Sequence, residues 1–477
     1  MSVIPDQNTS PQHTLNHLFR WQFASSLYMS LLQLASLVLL GQFLGYKEMG
    51  IYTIFQIVFR LAMALLDPGM FVSIIQKAEF TKEILTKLRN IQYLLLCICI
   101  GLLIGFYLWE YTYLINYPYV VIISLVLFCT IGIGSMYPSI LQHHLKQKQI
   151  SLFLILSGTA EFIWILLAIW YVDPILVFCI GLFLRFSIFY TLSWIYTKLL
   201  IYNDQINESV QEHVSFSAYQ VLNQGISFVQ GNFDTVLVGS VFGLLVLGPY
   251  NIASEFSYLL FSKINPIFNK AIFPLLAKYQ KDVKHRQDII KESLLSHALV
   301  CITIYLIVYS HLSDIIPLLF KDPEYSILQF SRFIVIMAMI RSVNNIVFNQ
   351  LLALGESSRL LKWNIAVLII NYVFIAVVYW TQTDIYKFLL INIFLSFSVL
   401  VYSIHRLLIY FEDVQLFYKA LLKYTIYLMC CCIVLYLIHL MNPKFISSLL
   451  WAVAGLFSIN FIFYRDKIIE LFRLKIM

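Results

Sequence analysis

The chain is cut by short polar turns into apolar runs of about twenty residues, and that pattern leaves few folds open. A run of this length spans the hydrocarbon core of a bilayer as one α-helix. Fourteen such runs are readable, roughly at 22–45, 50–76, 91–109, 117–141, 151–172, 174–200, 215–242, 247–277, 293–320, 328–354, 360–381, 385–411, 418–440 and 444–464. Composition agrees: 60% of the 477 residues are hydrophobic and 12% charged, about half the charged share of a soluble domain. The expected class is an all-α polytopic membrane protein.

Charges in the connections alternate from one side to the other. One set of turns carries Lys77, Lys82, Lys87 and Arg89, then Lys146 and Lys148, then Lys278, Lys281, Lys284, Arg286 and Lys291, then Arg359 and Lys362, then Arg406, Lys419 and Lys423. The tail adds Arg465, Lys467, Arg473 and Lys475, whereas the opposite turns hold isolated Lys47, Lys321, Lys387 and Lys444. The positive-inside rule then places both termini in the cytoplasm and accounts for the net charge of +7 without a nucleic acid partner. Residues 1–20 are polar and the first apolar run is too long for a cleaved leader. All eight cysteines lie inside apolar runs, with neither zinc nor disulfide spacing, so no metal site is expected. The longest polar segments, 201–214 and 278–292, leave no room for an extramembrane catalytic domain, and no catalytic residue is assigned.

An internal repeat underlies the pattern. Gly41, Gly45, Gly50 and Tyr52 stand 198 residues before Gly239, Gly243, Gly248 and Tyr250, and Asp67-Pro68 matches Asn265-Pro266 at the same offset. The repeat implies two six-helix lobes, 1–200 and 201–411, with residues 412–477 adding two further helices and a tail.

Polar residues recur at helical spacing within the runs: Gln22, Ser26, Ser30 and Gln33; Thr53, Gln56, Arg60 and Asp67; Asn223, Ser227, Gln230 and Asp234; Asn251, Glu255, Tyr258 and Ser262, beside Lys263; and Arg341, Asn345 and Asn349. Each set shares one helical face, and polar faces in lipid turn inward, as interhelical hydrogen bonds or as a cavity lining. Arg60 and Arg341 fall near mid-membrane, where a charge requires a partner or a polar cavity. Asp234 and Glu255 are level with each other. They are read as a proton or sodium site assisted by Asn232 or Asn251, or else as acids each paired with an arginine. Glu161 and Arg185, level on consecutive helices, are read as a structural ion pair.

The segments LVLLGQFLGYKEMGIYTIFQI, ALLDPGMFVSIIQKAEFT, NFDTVLVGSVFGLLVLGPYNIASEF and INPIFNKAIFPLLAKYQKD resemble the polysaccharide-exporter branch of the MOP superfamily, the Wzx-type flippases, nearest to the colanic-acid-exporter-like group. The resemblance covers roughly 15–410. It implies two six-helix bundles around a V-shaped cavity, with two further helices in longer members. It also implies alternating access that carries an undecaprenyl-pyrophosphate-linked oligosaccharide across the bacterial inner membrane, with membrane lipids and polysaccharide polymerase or chain-length machinery as partners. Under that reading Arg60, Arg341 and Lys263 hold the headgroup. Gln33, Gln56, Asn223, Gln230, Tyr258 and Asn345 meet sugar hydroxyls, while Asp234, Glu255 and Asn232 couple to H+ or Na+, no other cofactor being expected. The rival expectation is a cation-coupled, MATE-like multidrug exporter, which calls for a cavity dominated by acids.

Overall fold

A computed structural model describes residues 11–66, 82–109, 117–144, 146–198, 225, 228–278, 282–321, 325–354, 357–381 and 384–410, with residues 430, 433, 434 and 455. Asp67-Pro68-Gly69, Asn223, segment 201–214 and nearly all of the last two expected spans lie outside these residues.

Among the described residues every regular element is a helix: α1 Pro11–Phe43, α2 Tyr46–Leu66, α3 Lys82–Trp109, α4 Pro118–Gly134, α5 Met136–His143, α6 Gln147–Ala168 and α7 Pro174–Thr197. They are followed by α8 (228–242), α9 Leu244–Lys278, α10 Val283–Ser310, α11 Leu312–Leu319, α12 Ser326–Ala353, α13 Ser357–Thr381 and α14 Ile385–Leu408. Ten spans among the described residues are long and apolar enough to cross a membrane. Leu102, Ile122, Leu167 and Phe394 each expose more than half of their surface, as side chains facing lipid do. The protein is a multi-pass membrane protein.

The chain divides into two compact units, Met1–Asn251 and Ile252–Met477, so that the first unit ends inside α9. The lobes expected from the repeat are a division by sequence; these units are a division by packing.

In the first unit α4 packs on α2, α3 and α7, and α6 packs on α1 and α7. Helix ends are set by local chemistry. Pro118 and Pro174 open α4 and α7, where a missing N–H costs nothing. The Asp173 carboxylate caps α7 by accepting from the backbone N–H of Ile175 (2.8 Å) and Leu176 (3.2 Å). The last described carbonyl of α2, on Leu66, accepts from Gln92 Nε2 and Ser135 Oγ, both at 2.8 Å.

The repeat is visible in three dimensions at the opening of its two copies. The helix breaks at Gly45 and again, 198 residues on, at Gly243, which has φ +81°. A Cβ on Gly50 would collide with the Leu244 carbonyl oxygen and lie 3.1 Å from Leu244 Cα. A Cβ on Gly248 would collide with the Tyr46 carbonyl oxygen and lie 3.1 Å from the Gly50 nitrogen. Position 46 is the repeat equivalent of 244, and 50 of 248. The two contacts are therefore reciprocal, the signature of a two-fold-like pairing of like surfaces. This packing draws the opening of the second copy into the first unit.

In the second unit α12 is the hub, touching α10, α11, α13 and α14. Its buried apolar side chains, Val343, Ile346, Val347 and Leu351, join Ile290, Leu294, Ala298 and Ile302 of α10. Outside the membrane spans, Asp282 caps α10, accepting from the His285 N–H at 3.1 Å and facing His285 Nδ1 at 2.8 Å. Those bonds hold its carboxyl below the usual carboxylate range.

Candidate functional site

Each unit holds a guanidinium within a polar cluster. In the first, Arg60 reaches α8: its Nη1 donates to Asn232 Oδ1 at 3.4 Å, and Asp234 acts on it electrostatically. Asn232 and Asp234 are 8% and 5% exposed, so these contacts are made away from solvent. The i−4 geometry of α8 orients the amide, because Asn232 Nδ2 donates to the Phe228 carbonyl at 2.9 Å. That leaves Oδ1 to accept from the arginine. Asp234 in turn accepts from the Thr235 N–H at 3.0 Å. One turn before Arg60, Gln56 Oε1 accepts from Asn251 Nδ2 at 3.0 Å. The structure thus brings Arg60 together with two of the three residues expected to couple a cation.

In the second unit Arg341 Nη1 donates to the Tyr258 hydroxyl at 2.7 Å and its Nε to Ser396 Oγ at 3.2 Å. Tyr258 is the repeat equivalent of position 60. The residue at the repeat position of Arg60 is thus a tyrosine whose hydroxyl accepts from a guanidinium carried by α12. One turn along α12, Asn345 Oδ1 accepts from Asn269 Nδ2 at 2.9 Å and Asn349 Nδ2 at 3.2 Å. Lys263 and Glu255, both on α9, are half-buried and engaged in interactions of their own, as is Gln230 on α8. Gln33 is exposed, along with Gln22 and Ser26 of its stripe. The packed polar contacts of α1 come from its other face, where Ser25 meets Ser151 at 3.3 Å and Tyr28 meets Thr159 at 2.8 Å.

Arg185 Nη1 lies 3.4 Å from Glu161 Oε2 between α7 and α6, with side chains 29% and 14% exposed. Removing one partner leaves the other charge without compensation. Arg185→Ala is expected to destabilise the purified protein by on the order of 3 kcal/mol. The Glu161→Gln/Arg185→Met pair should recover most of the loss in a thermal melt.

A buried polar knot escaped the sequence reading. His297 Nε2 lies 2.9 Å from Asn265 Oδ1; Ser342 Oγ donates to the same oxygen at 2.6 Å, and Cys301 Sγ to Ser342 Oγ at 3.0 Å. His297 and Ser342 are wholly buried, and Asn265 nearly so. In sequence Asn265 is legible only as the repeat match of Asp67, and His297 is one polar residue in an apolar run. Their pairing needs α9, α10 and α12 to be assembled. Among the described residues no group of His, Cys, Asp and Glu is arranged to hold a metal.

Comparison with known proteins places this architecture. The TuaB protein of Bacillus subtilis strain 168, a teichuronic acid biosynthesis protein, is 25% identical over 74% of both chains. The lipopolysaccharide biosynthesis protein WzxC of Escherichia coli K12 is 24% identical over 72% of this chain and 71% of its own. The fold is shared with the lipid II flippase MurJ in an inward closed conformation, with a TM-score of 0.66 at 16% identity over 94% of this chain and 99% of that one. Residues 39–323, more than half of the chain, match the family described as "Polysaccharide biosynthesis protein", and the chain belongs to that family.

Proposed function

We propose that the protein is a flippase. It moves undecaprenyl-pyrophosphate-linked oligosaccharides across the bacterial cytoplasmic membrane by alternating access, with both termini in the cytoplasm. The observation that supports this most is an arginine engaged at the corresponding position of each repeat copy, Arg60 itself in one and Arg341 bonded to Tyr258 in the other. A pyrophosphate is an anion that must pass a region of low dielectric. An arginine fork offers it paired N–H donors and a charge that stays on.

Arg60 and Arg341 are each assigned to headgroup contact, with Lys263 assisting. Gln33, Gln56, Asn223, Gln230, Tyr258 and Asn345 are assigned to sugar hydroxyls. Phosphate oxygens compete with Asn232 and Asp234 for the Arg60 donors. Once Arg60 turns to the headgroup, Asp234 is left to pair with a proton or a sodium ion, with Glu255 as the second carboxylate. The protein makes and breaks no covalent bond in this reading. The released unit passes to polysaccharide polymerase and chain-length machinery.

A deletion strain tests the class. Surface polysaccharide is expected to fall at least tenfold, with unchanged sensitivity to cationic amphiphilic drugs. Normal polysaccharide with drug hypersensitivity would identify a MATE-like exporter instead.

A further inference from the structure

A second feature of the Ile252–Met477 unit takes no part in that reading: a cavity of about 310 Å³ lined by Tyr309, Gln329, Arg332, Phe333, Ile336 and Tyr386. Three helix ends meet there. Tyr309 is the penultimate residue of α10 and Tyr386 the second of α14, while the other four lie in the first three turns of α12. Gln329, Arg332, Phe333 and Ile336 stand at i, i+3, i+4 and i+7, a single helical face. The Tyr386 hydroxyl donates to Gln329 Oε1, which leaves the amide Nε2 as a donor. The rings of Phe333 and Tyr386 are 6.1 Å apart at 44°. Arg332 is exposed and makes no hydrogen bond or ion pair with any described residue.

The charge alternation puts this end of the bundle on the face poor in lysine and arginine, so topology does not require a cation here. We propose that the cavity binds a sugar ring bearing a carboxylate, a uronic-acid unit of the glycan, on the far side of the membrane. The proposal rests on the flippase reading and its orientation. The Arg332 fork matches a carboxylate through two N–H donors. Phe333 and Tyr386 give amphipathic walls against the apolar face of a pyranose. Gln329 Nε2 and the Tyr309 hydroxyl are placed for ring hydroxyls. The volume is at the lower end of small-molecule sites, roughly 300–1,000 Å³, and suits a short saccharide rather than a chain. Asp384 stands two residues before Tyr386 at the start of α14, and its charge limits the affinity, as a site that must release its cargo requires.

Calorimetry on the full-length protein in phosphatidylcholine nanodiscs tests the assignment, with digalacturonate, lactose and glycerol phosphate as probes. Digalacturonate is expected to bind at least tenfold more tightly than lactose. Arg332→Gln should weaken it at least tenfold, with Arg332→Lys recovering part of the loss and Phe333→Ala weakening both sugars. Equal binding of lactose, unchanged binding by Arg332→Gln, no binding of digalacturonate, or a preference for glycerol phosphate, which marks a lipid anchor, overturns it. If the deletion strain still exports its polysaccharide, the flippase reading fails whatever the calorimetry shows. If export needs the protein and Arg332→Gln binds digalacturonate unchanged, only the cavity assignment fails.

Discussion

Gly248→Val is expected to abolish polysaccharide export and to cut the amount of protein in the membrane severalfold. The new side chain would be driven into the Tyr46 carbonyl oxygen, with Met49 Cβ 2.8 Å away and the Gly50 nitrogen 3.1 Å away. Two of these three atoms are backbone, so relief requires α2 and α9 to separate along their crossing rather than a rotamer to turn. Overpacking in a well-packed interior typically costs about 1–3 kcal/mol, and a backbone clash stands at or above the top of that range. Gly50→Val should do the same through Leu244, because the contact is reciprocal. Two other glycines calibrate the result. At Gly243 a Cβ meets nothing within 4 Å, but φ is +81°, so Gly243→Ala should cost only the left-handed penalty of about 1–2 kcal/mol. Gly101 has open space on a helix, and Gly101→Ala should be neutral or slightly stabilising. Immunoblots of membrane fractions and surface polysaccharide assays on the four variants would rank them in this order.

Arg60→Ala is expected to stop export, and so is Arg341→Ala, each by at least tenfold. The loss has two parts that must be separated. Removing Arg60 deprives the headgroup of its fork and also leaves Asp234 buried without its counter-charge, which destabilises by about 3–5 kcal/mol where burial is complete. The Arg60→Ala/Asp234→Asn double variant removes the second part. It should restore protein to near the normal amount in the membrane while export stays absent. Arg60→Lys keeps the charge but not the fork and should export weakly. Arg341→Ala removes the donors to Tyr258 and Ser396, and immunoblots of the membrane fraction separate any loss of protein from the loss of export. Surface polysaccharide at normal levels in both alanine variants would show that neither arginine holds the cargo.

Much of the fold is legible in the sequence because a bilayer admits so few solutions. Length and apolarity mark the spans, and glycines at a constant offset of 198 mark the repeat. The reason Gly50 and Gly248 must be glycine is not legible, since it lies in a carbonyl oxygen of a helix nearly two hundred residues away. The site was legible in its residue types and less so in its pairings. Helical spacing identifies Arg60 and Asp234 as inward-facing, but Asn232 is off that stripe, and spacing is a property of one helix whereas the Arg60 to Asn232 bond joins two. Compared at the 198-residue offset, Ile57 and Arg60 of the first copy stand against Glu255 and Tyr258 of the second, so the sequence reads as a cationic first copy and an acidic second one. Arg341 brings the guanidinium to Tyr258 from α12, which no comparison of the two α-helical hairpins reveals. Arg332 is illegible for the opposite reason: it sits inside an apolar run and belongs neither to the turn charges nor to the mid-membrane stripes.

The most direct measurement is the location of lipid-linked glycan in cells lacking the protein. Spheroplasts and inverted vesicles from the deletion strain would be treated with an impermeant glycosidase, and the remaining undecaprenyl-linked units quantified by mass spectrometry. The flippase account predicts complete repeat units accumulating on the carrier and cleavable only from the cytoplasmic face, with wild-type protein, but not Arg60→Ala/Asp234→Asn, moving them outward. Complete but unpolymerised units on the outer face of the deletion strain would contradict it, because the step lost would then lie after translocation.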